Sequence, residues 1–143
     1  MRVRLATVLW LLCALFAVRV VAQPLSRIVS FLPPFESWHS AAIPYQVLLA
    51  SQVAILVALA SATWGISAGT TGPKRSRGVV ALMLGTVYFL SMAVRLVLGF
   101  TIFSDVRWFA SPLPTIFHLV LASWLLLYGS YHVSNGADPP SGR

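Results

Sequence analysis

Four long apolar stretches dominate this chain, at about residues 5–22, 45–67, 79–103 and 113–131. Each approaches or exceeds the roughly 18–20 residues that a helix needs to cross ~30 Å of hydrocarbon. Lipid offers no partner to free backbone N–H and C=O groups, so stretches of this kind fold as helices. The expected fold is an all-α integral membrane protein, a compact bundle of four transmembrane helices. The first stretch leaves a second possibility. Arg2 and Arg4 ahead of an apolar run, with Val20-Val21-Ala22 before Gln23, also describe a signal peptide with small residues at its cleavage site. Cleavage would leave three spans. Arg19, so close to that site, argues against it, and an uncleaved first span is the expectation.

Composition and charge narrow the function. Hydrophobic residues make up 58% of the chain and charged ones 9%, against roughly 25% charged in soluble domains. The net charge of +7 would point to nucleic acid in a soluble protein. Here the basic residues are dispersed and several flank apolar stretches, where they set orientation. Nucleic acid is therefore not an expected partner. The single cysteine, Cys13, excludes an intrachain disulfide and a dithiol redox enzyme, and no Cys/His cluster has zinc-site spacing. Cys13 is expected to be a small packing residue.

One domain, residues 1–132, is expected, followed by a short flexible tail over 133–143. The connection Gly72-Pro73-Lys74-Arg75-Ser76-Arg77-Gly78 holds three positive charges and no acid. By the positive-inside rule it is cytoplasmic, and so are both chain ends. The Ser104–Pro112 loop, with Asp105 against Arg107, is balanced and falls outside. Trp38, Tyr45 and Trp108 are placed at the outer interface, and Trp64, Tyr128 and Tyr131 at the inner one. In the loop from Gln23 to Pro44, Pro33-Pro34 predicts a turn-like segment lying on the outer membrane surface. The alanine- and arginine-rich composition points to a bacterial plasma membrane.

Helical spacing sorts the polar and small residues onto faces. Ala50, Ala54, Ala58 and Ala62 form a four-residue stripe on the second span. Small residues repeated this way let helix backbones approach closely, within the chain, against a second copy or against another membrane protein. On the third span, Ala81, Gly85, Tyr88, Met92, Arg95 and Gly99 share one side. Gly85 and Gly99 are read as packing positions. His118, Ala122, Leu125, Gly129 and His132 share a face of the fourth span, with His132 expected exposed at the inner boundary.

Depth brings Arg19, Gln52, Arg95 and His118 together in the outer third of the membrane. An arginine at mid-membrane costs roughly 2.5–3.5 kcal/mol on insertion scales and needs a partner. No acidic residue lies within any apolar stretch. The candidate partners are Glu36 and Asp105 from external loops, the amides of Gln46 and Gln52, or an anionic ligand. A net-positive outward pocket would use Arg95, His118 and Gln52, with Glu36 and His39 from the first loop. The plainer alternative is that the arginines snorkel to the outer headgroups and His118 bonds a neighbouring helix.

Other chemistries fit less well. His118 and His132 are fourteen residues apart on one face, about 21 Å along the axis, and bis-histidine haem ligation would need matching histidines from a second copy. A proton- or ion-coupled transporter usually carries an intramembrane carboxylate. Glu36 with His39 is the one acid/base pair, and at that spacing it is weak evidence for an enzyme. No catalytic residue, metal or cofactor is expected. The leading reading is an accessory or scaffolding component acting in the bilayer by helix–helix packing. The alternative is a binding protein for an anionic lipid headgroup or small anion, centred on Arg95 and His118.

Overall fold

The computed structural model of the chain describes residues 2–38, 43–106, 109 and 112–136. His39, Arg107, Trp108 and the tail beyond residue 136 lie outside them. Four helices account for the apolar stretches: α1 (Arg2–Leu25), α2 (Tyr45–Ala68), α3 (Arg75–Thr101) and α4 (Pro112–Asn135). They contain 24, 24, 27 and 24 residues, or about 36–40 Å each at 1.5 Å per residue. All four are long and apolar enough to cross a membrane.

The helices run past several of the expected limits. Arg75 and Arg77 belong to the first turn of α3 rather than to a loop, and α4 continues to Asn135, beyond the expected end at residue 131. Local chemistry explains the boundaries. Pro44 precedes α2 and Pro112 opens α4, positions where a missing N–H costs nothing. Gly69 ends α2 at φ 76°, the left-handed conformation that glycine adopts without a Cβ clash. Pro33-Pro34 stops the chain after α1, and Phe35–Trp38 then form one short 3-10 turn, η1.

Backbone packing runs in the order α2, α1, α4, α3. The α3–α4 contact is the most extensive, and α1 lies between α2 and α4. Among the described residues α2 makes no backbone packing contact with α3 or α4, so the bundle is open along its α2–α3 side. The ends pair as an up-and-down chain requires. Arg2 Nε donates to the Ile66 carbonyl at 2.9 Å, and the Lys74 backbone N–H donates to His132 Nδ1 at 3.0 Å. One end of the bundle thus carries Arg2, Arg4, Lys74, Arg75 and Arg77, and the other carries η1.

Glycine makes the α3–α4 contact possible. A Cβ on Gly129 would stand 2.8 Å from the Leu82 nitrogen and 2.9 Å from the Gly78 oxygen, and one on Gly78 would stand 2.8 Å from the Gly129 oxygen. Gly85 lies against Leu125 and Leu126, and Gly99 against Phe109. Without side chains at these points the two backbones touch, gaining dispersion contacts that lipid cannot supply.

The apolar core gathers around α1. Leu9, Cys13, Phe16 and Val20 pack with Leu59 and Ile66 of α2 and with Trp124 of α4. Elsewhere large apolar side chains face outward on every helix, among them Leu11, Val57, Val87 and Ile116. The alanine stripe behaves differently from Gly85 and Gly99: Ala50, Ala54 and Ala58 are exposed and Ala62 is half-buried. The side of α2 that meets α1 is instead Gln52, Leu59, Thr63 and Ile66.

His132 is a correction to the sequence reading. It was expected exposed and is fully buried. The α3–α4 approach carries the start of α3 over it, and its ring packs on Tyr128 and Tyr131.

Candidate functional site

Toward the η1 end, the open side of the bundle leads into a cavity of about 160 Å³ lined by all four helices and η1. Its polar lining comes from all four helices: Arg19 of α1, Ser51 and Gln52 of α2, Tyr88 of α3 and His118 of α4. Trp38 of η1 covers it and Phe16 and Leu121 supply apolar wall. Among the described residues no carboxylate lines it.

Each polar group is presented by its helix for a definable reason. Arg19 follows Leu9, Cys13 and Phe16 along the buried side of α1 and is itself 4% exposed. Its Nη2 donates to the Trp38 carbonyl at 3.4 Å, and its guanidinium carbon lies 5.9 Å from the Phe117 ring centre. These contacts orient the cation without neutralising it. Gln52 continues the Thr63–Leu59 side of α2 and is also 4% exposed. Its Oε1 is buried and has no hydrogen-bond partner among the described residues. A buried amide oxygen left this way costs roughly 1–3 kcal/mol, so the site is held together at an expense that a bound donor would remove.

Tyr88 and His118 are coupled across α3 and α4. The Tyr88 hydroxyl and His118 Nδ1 share a hydrogen bond of 2.5 Å, and the rings meet edge to face with centres 5.7 Å apart. With Tyr88 as donor, the imidazole proton resides on Nε2, which becomes a second donor for a ligand. Arginine, imidazole and amide then converge on one small space, a set suited to an oxyanion.

The roof was missed as part of the site. Trp38, expected at the outer interface, is 5% exposed. It stacks on Phe117 with ring centres 6.2 Å apart and donates from Nε1 to the Pro33 carbonyl at 2.9 Å. The double proline leads into η1, which sets Trp38 against Phe117. At the same end, the Arg27 guanidinium lies 4.1 Å from the Phe35 ring centre and 5.0 Å from that of Tyr45.

Of the residues named from sequence, Gln52 and His118 line the cavity, and Arg19, singled out by depth, supplies its cation. Arg95 is 5% exposed and lies seven residues from Tyr88 on the same side of α3, about 10 Å nearer the η1 end. It is not a lining residue. Glu36 and Asp105 are exposed; the group of η1 that reaches Arg19 is the Trp38 carbonyl. Tyr88 was legible in the Arg95 stripe, because a tyrosine among glycines at helical spacing already faces the bundle. Trp38 had no comparable signal, since a loop residue has no periodicity to place it.

Comparison with known proteins adds no relative: no protein-family model matches the chain, and neither the curated proteins nor the solved structures contain a match.

Proposed function

We propose that this is a polytopic membrane protein that binds an anionic group in the Arg19 cavity. The observation carrying the proposal is a buried guanidinium that meets only a backbone carbonyl and an aromatic face, beside the His118 imidazole, in a cavity that no carboxylate lines among the described residues. A buried arginine in a membrane span needs compensation, which reaches roughly 2.5–3.5 kcal/mol at mid-membrane. A carbonyl dipole and an aromatic face meet only part of that need, and an anion would meet the rest. The basic end with Lys74, Arg75 and Arg77 is cytoplasmic in this reading, and η1 faces outward. The first helix stays with the mature protein, because its removal would take Leu9, Cys13, Phe16 and Val20 out of the core. A bacterial plasma membrane suits the composition.

Native mass spectrometry of the full-length protein, released from mild detergent, tests the binding. A fixed anionic increment that disappears in Arg19→Leu is expected. Bare protein whatever phosphate or anionic lipid is supplied would overturn the proposal.

A second reading is supported by a different observation. Ala50, Ala54 and Ala58 are exposed on a helix whose backbone, among the described residues, packs only on α1. That small-residue face could receive another membrane helix, which would make the protein an accessory or scaffolding component as well.

A further inference from the structure

The cavity holds roughly five waters' worth of space at ~30 Å³ each. That accommodates a phosphate group and little more. What is attached to the anion must therefore lie outside, and the surroundings of the cavity indicate where. Trp38 closes it on the η1 side, pinned by the Pro33 carbonyl, the Phe117 ring and Arg19. Its exposed lining residues are instead Ser51 and Ile55 of α2, so the mouth opens sideways. This is also the side on which α2 and α3 make no backbone contact.

Below the cavity, two further concavities follow one another along α3 toward the basic end. Tyr88 lines both the cavity and a second concavity of about 400 Å³ with Leu84 and Leu125. Leu84 and Leu125 in turn line a third concavity, of about 440 Å³, that reaches Arg77 at the basic end. Tyr88 and Arg77 are eleven residues apart on α3, so these concavities span about 16 Å. Between the two ends the walls are almost wholly apolar.

We infer that the anion is the phosphate headgroup of a membrane phospholipid, which enters laterally between α2 and α3 and lays an acyl chain over the concavities along α3. This rests on the reading of the Arg19 cavity as an anion site and identifies the source of the anion. The headgroup phosphate meets Arg19, the imidazole of His118 and the amide of Gln52, with the Gln52 side chain turned so that its N–H₂ donates. The acyl chain covers Leu84 and Leu125.

The test uses full-length protein in dodecyl maltoside, with dioleoyl phosphatidylglycerol and inorganic phosphate as separate probes. Native mass spectrometry should retain one phosphatidylglycerol per wild-type chain. That occupancy should fall at least tenfold in Arg19→Leu and in Ser51→Trp, which blocks the mouth from an exposed position. Leu84→Trp, which fills these concavities without touching the cavity, should lower it severalfold. Inorganic phosphate up to millimolar levels should leave the unfolding temperature unchanged. If instead phosphate stabilises the wild type but not Arg19→Leu, while phosphatidylglycerol is not retained, the lipid assignment is wrong and the anion site stands. If phosphatidylglycerol is retained equally by wild type, Arg19→Leu and Ser51→Trp, it binds elsewhere and both readings fail. Arg19→Lys, which keeps the charge, separates loss of binding from loss of fold: a folded Arg19→Lys that retains lipid while Arg19→Leu does not supports the assignment.

Discussion

The indole N–H of Trp124 donates to the Thr63 hydroxyl oxygen at 3.1 Å, joining α4 to α2 although the two backbones do not meet. Thr63 also donates to the Leu59 carbonyl at 2.8 Å and lies 3.6 Å from Cys13 Sγ. One hydroxyl thus ties three helices at a point with no access to water. Thr63→Val keeps the shape and removes the acceptor, stranding the Trp124 N–H. We expect a loss of roughly 1–3 kcal/mol, read as a lower unfolding temperature in detergent, with Thr63→Ser close to wild type.

Gly129→Ala should damage the α3–α4 contact more than its size suggests. The added Cβ would meet the Leu82 nitrogen at 2.8 Å, and backbone on both sides cannot step aside as a flexible side chain would. A cost of about 1–3 kcal/mol is expected for such overpacking. Gly72, with nothing within 4 Å of its Cβ position, is the matched control. Equal unfolding temperatures for Gly129→Ala and Gly72→Ala would show that the helices do not approach this closely.

Tyr88→Phe removes the hydroxyl that holds His118 while retaining the ring in the cavity wall. Phospholipid retention should weaken by about 1 kcal/mol, roughly fivefold, with little change in unfolding temperature. A drop in stability with unchanged retention would assign the pair a structural role alone.

Ala54→Leu probes the outward face of α2. Because Ala54 is exposed, the substitution should alter the stability of the isolated chain by less than about 0.5 kcal/mol. If the stripe receives another helix, cross-linking in membranes should lose a dimer or a co-purifying subunit in this variant. An unchanged cross-linking pattern would remove the support for the accessory reading.

Arg19, Gln52 and His118 could be grouped from sequence because depth along a spanning helix follows from counting residues from its end. Tyr88 could be placed on the correct side of α3 by its spacing from Gly85 and Arg95. The exposure of Ala50, Ala54 and Ala58 could not be foreseen, since a helix with small residues on one face and Gln52, Leu59 and Thr63 on another can pack through either. The burial of His132 was equally hidden, because it depends on how closely Gly78 and Gly129 let α3 and α4 approach.

The sequence by itself determined that there are four apolar helices, where they begin and end to within a few residues, and how far along each helix its polar groups lie. These are local matters of hydropathy, proline and glycine, and each helix satisfies its own backbone. Only the tertiary structure decided which helices touch, that α2 stands apart from α3, and that Trp38 folds over Arg19 to close the cavity toward η1. Those outcomes depend on contacts between residues distant in the chain, whose energies compete across several nearly equivalent apolar faces, and no periodicity within one segment encodes the winner.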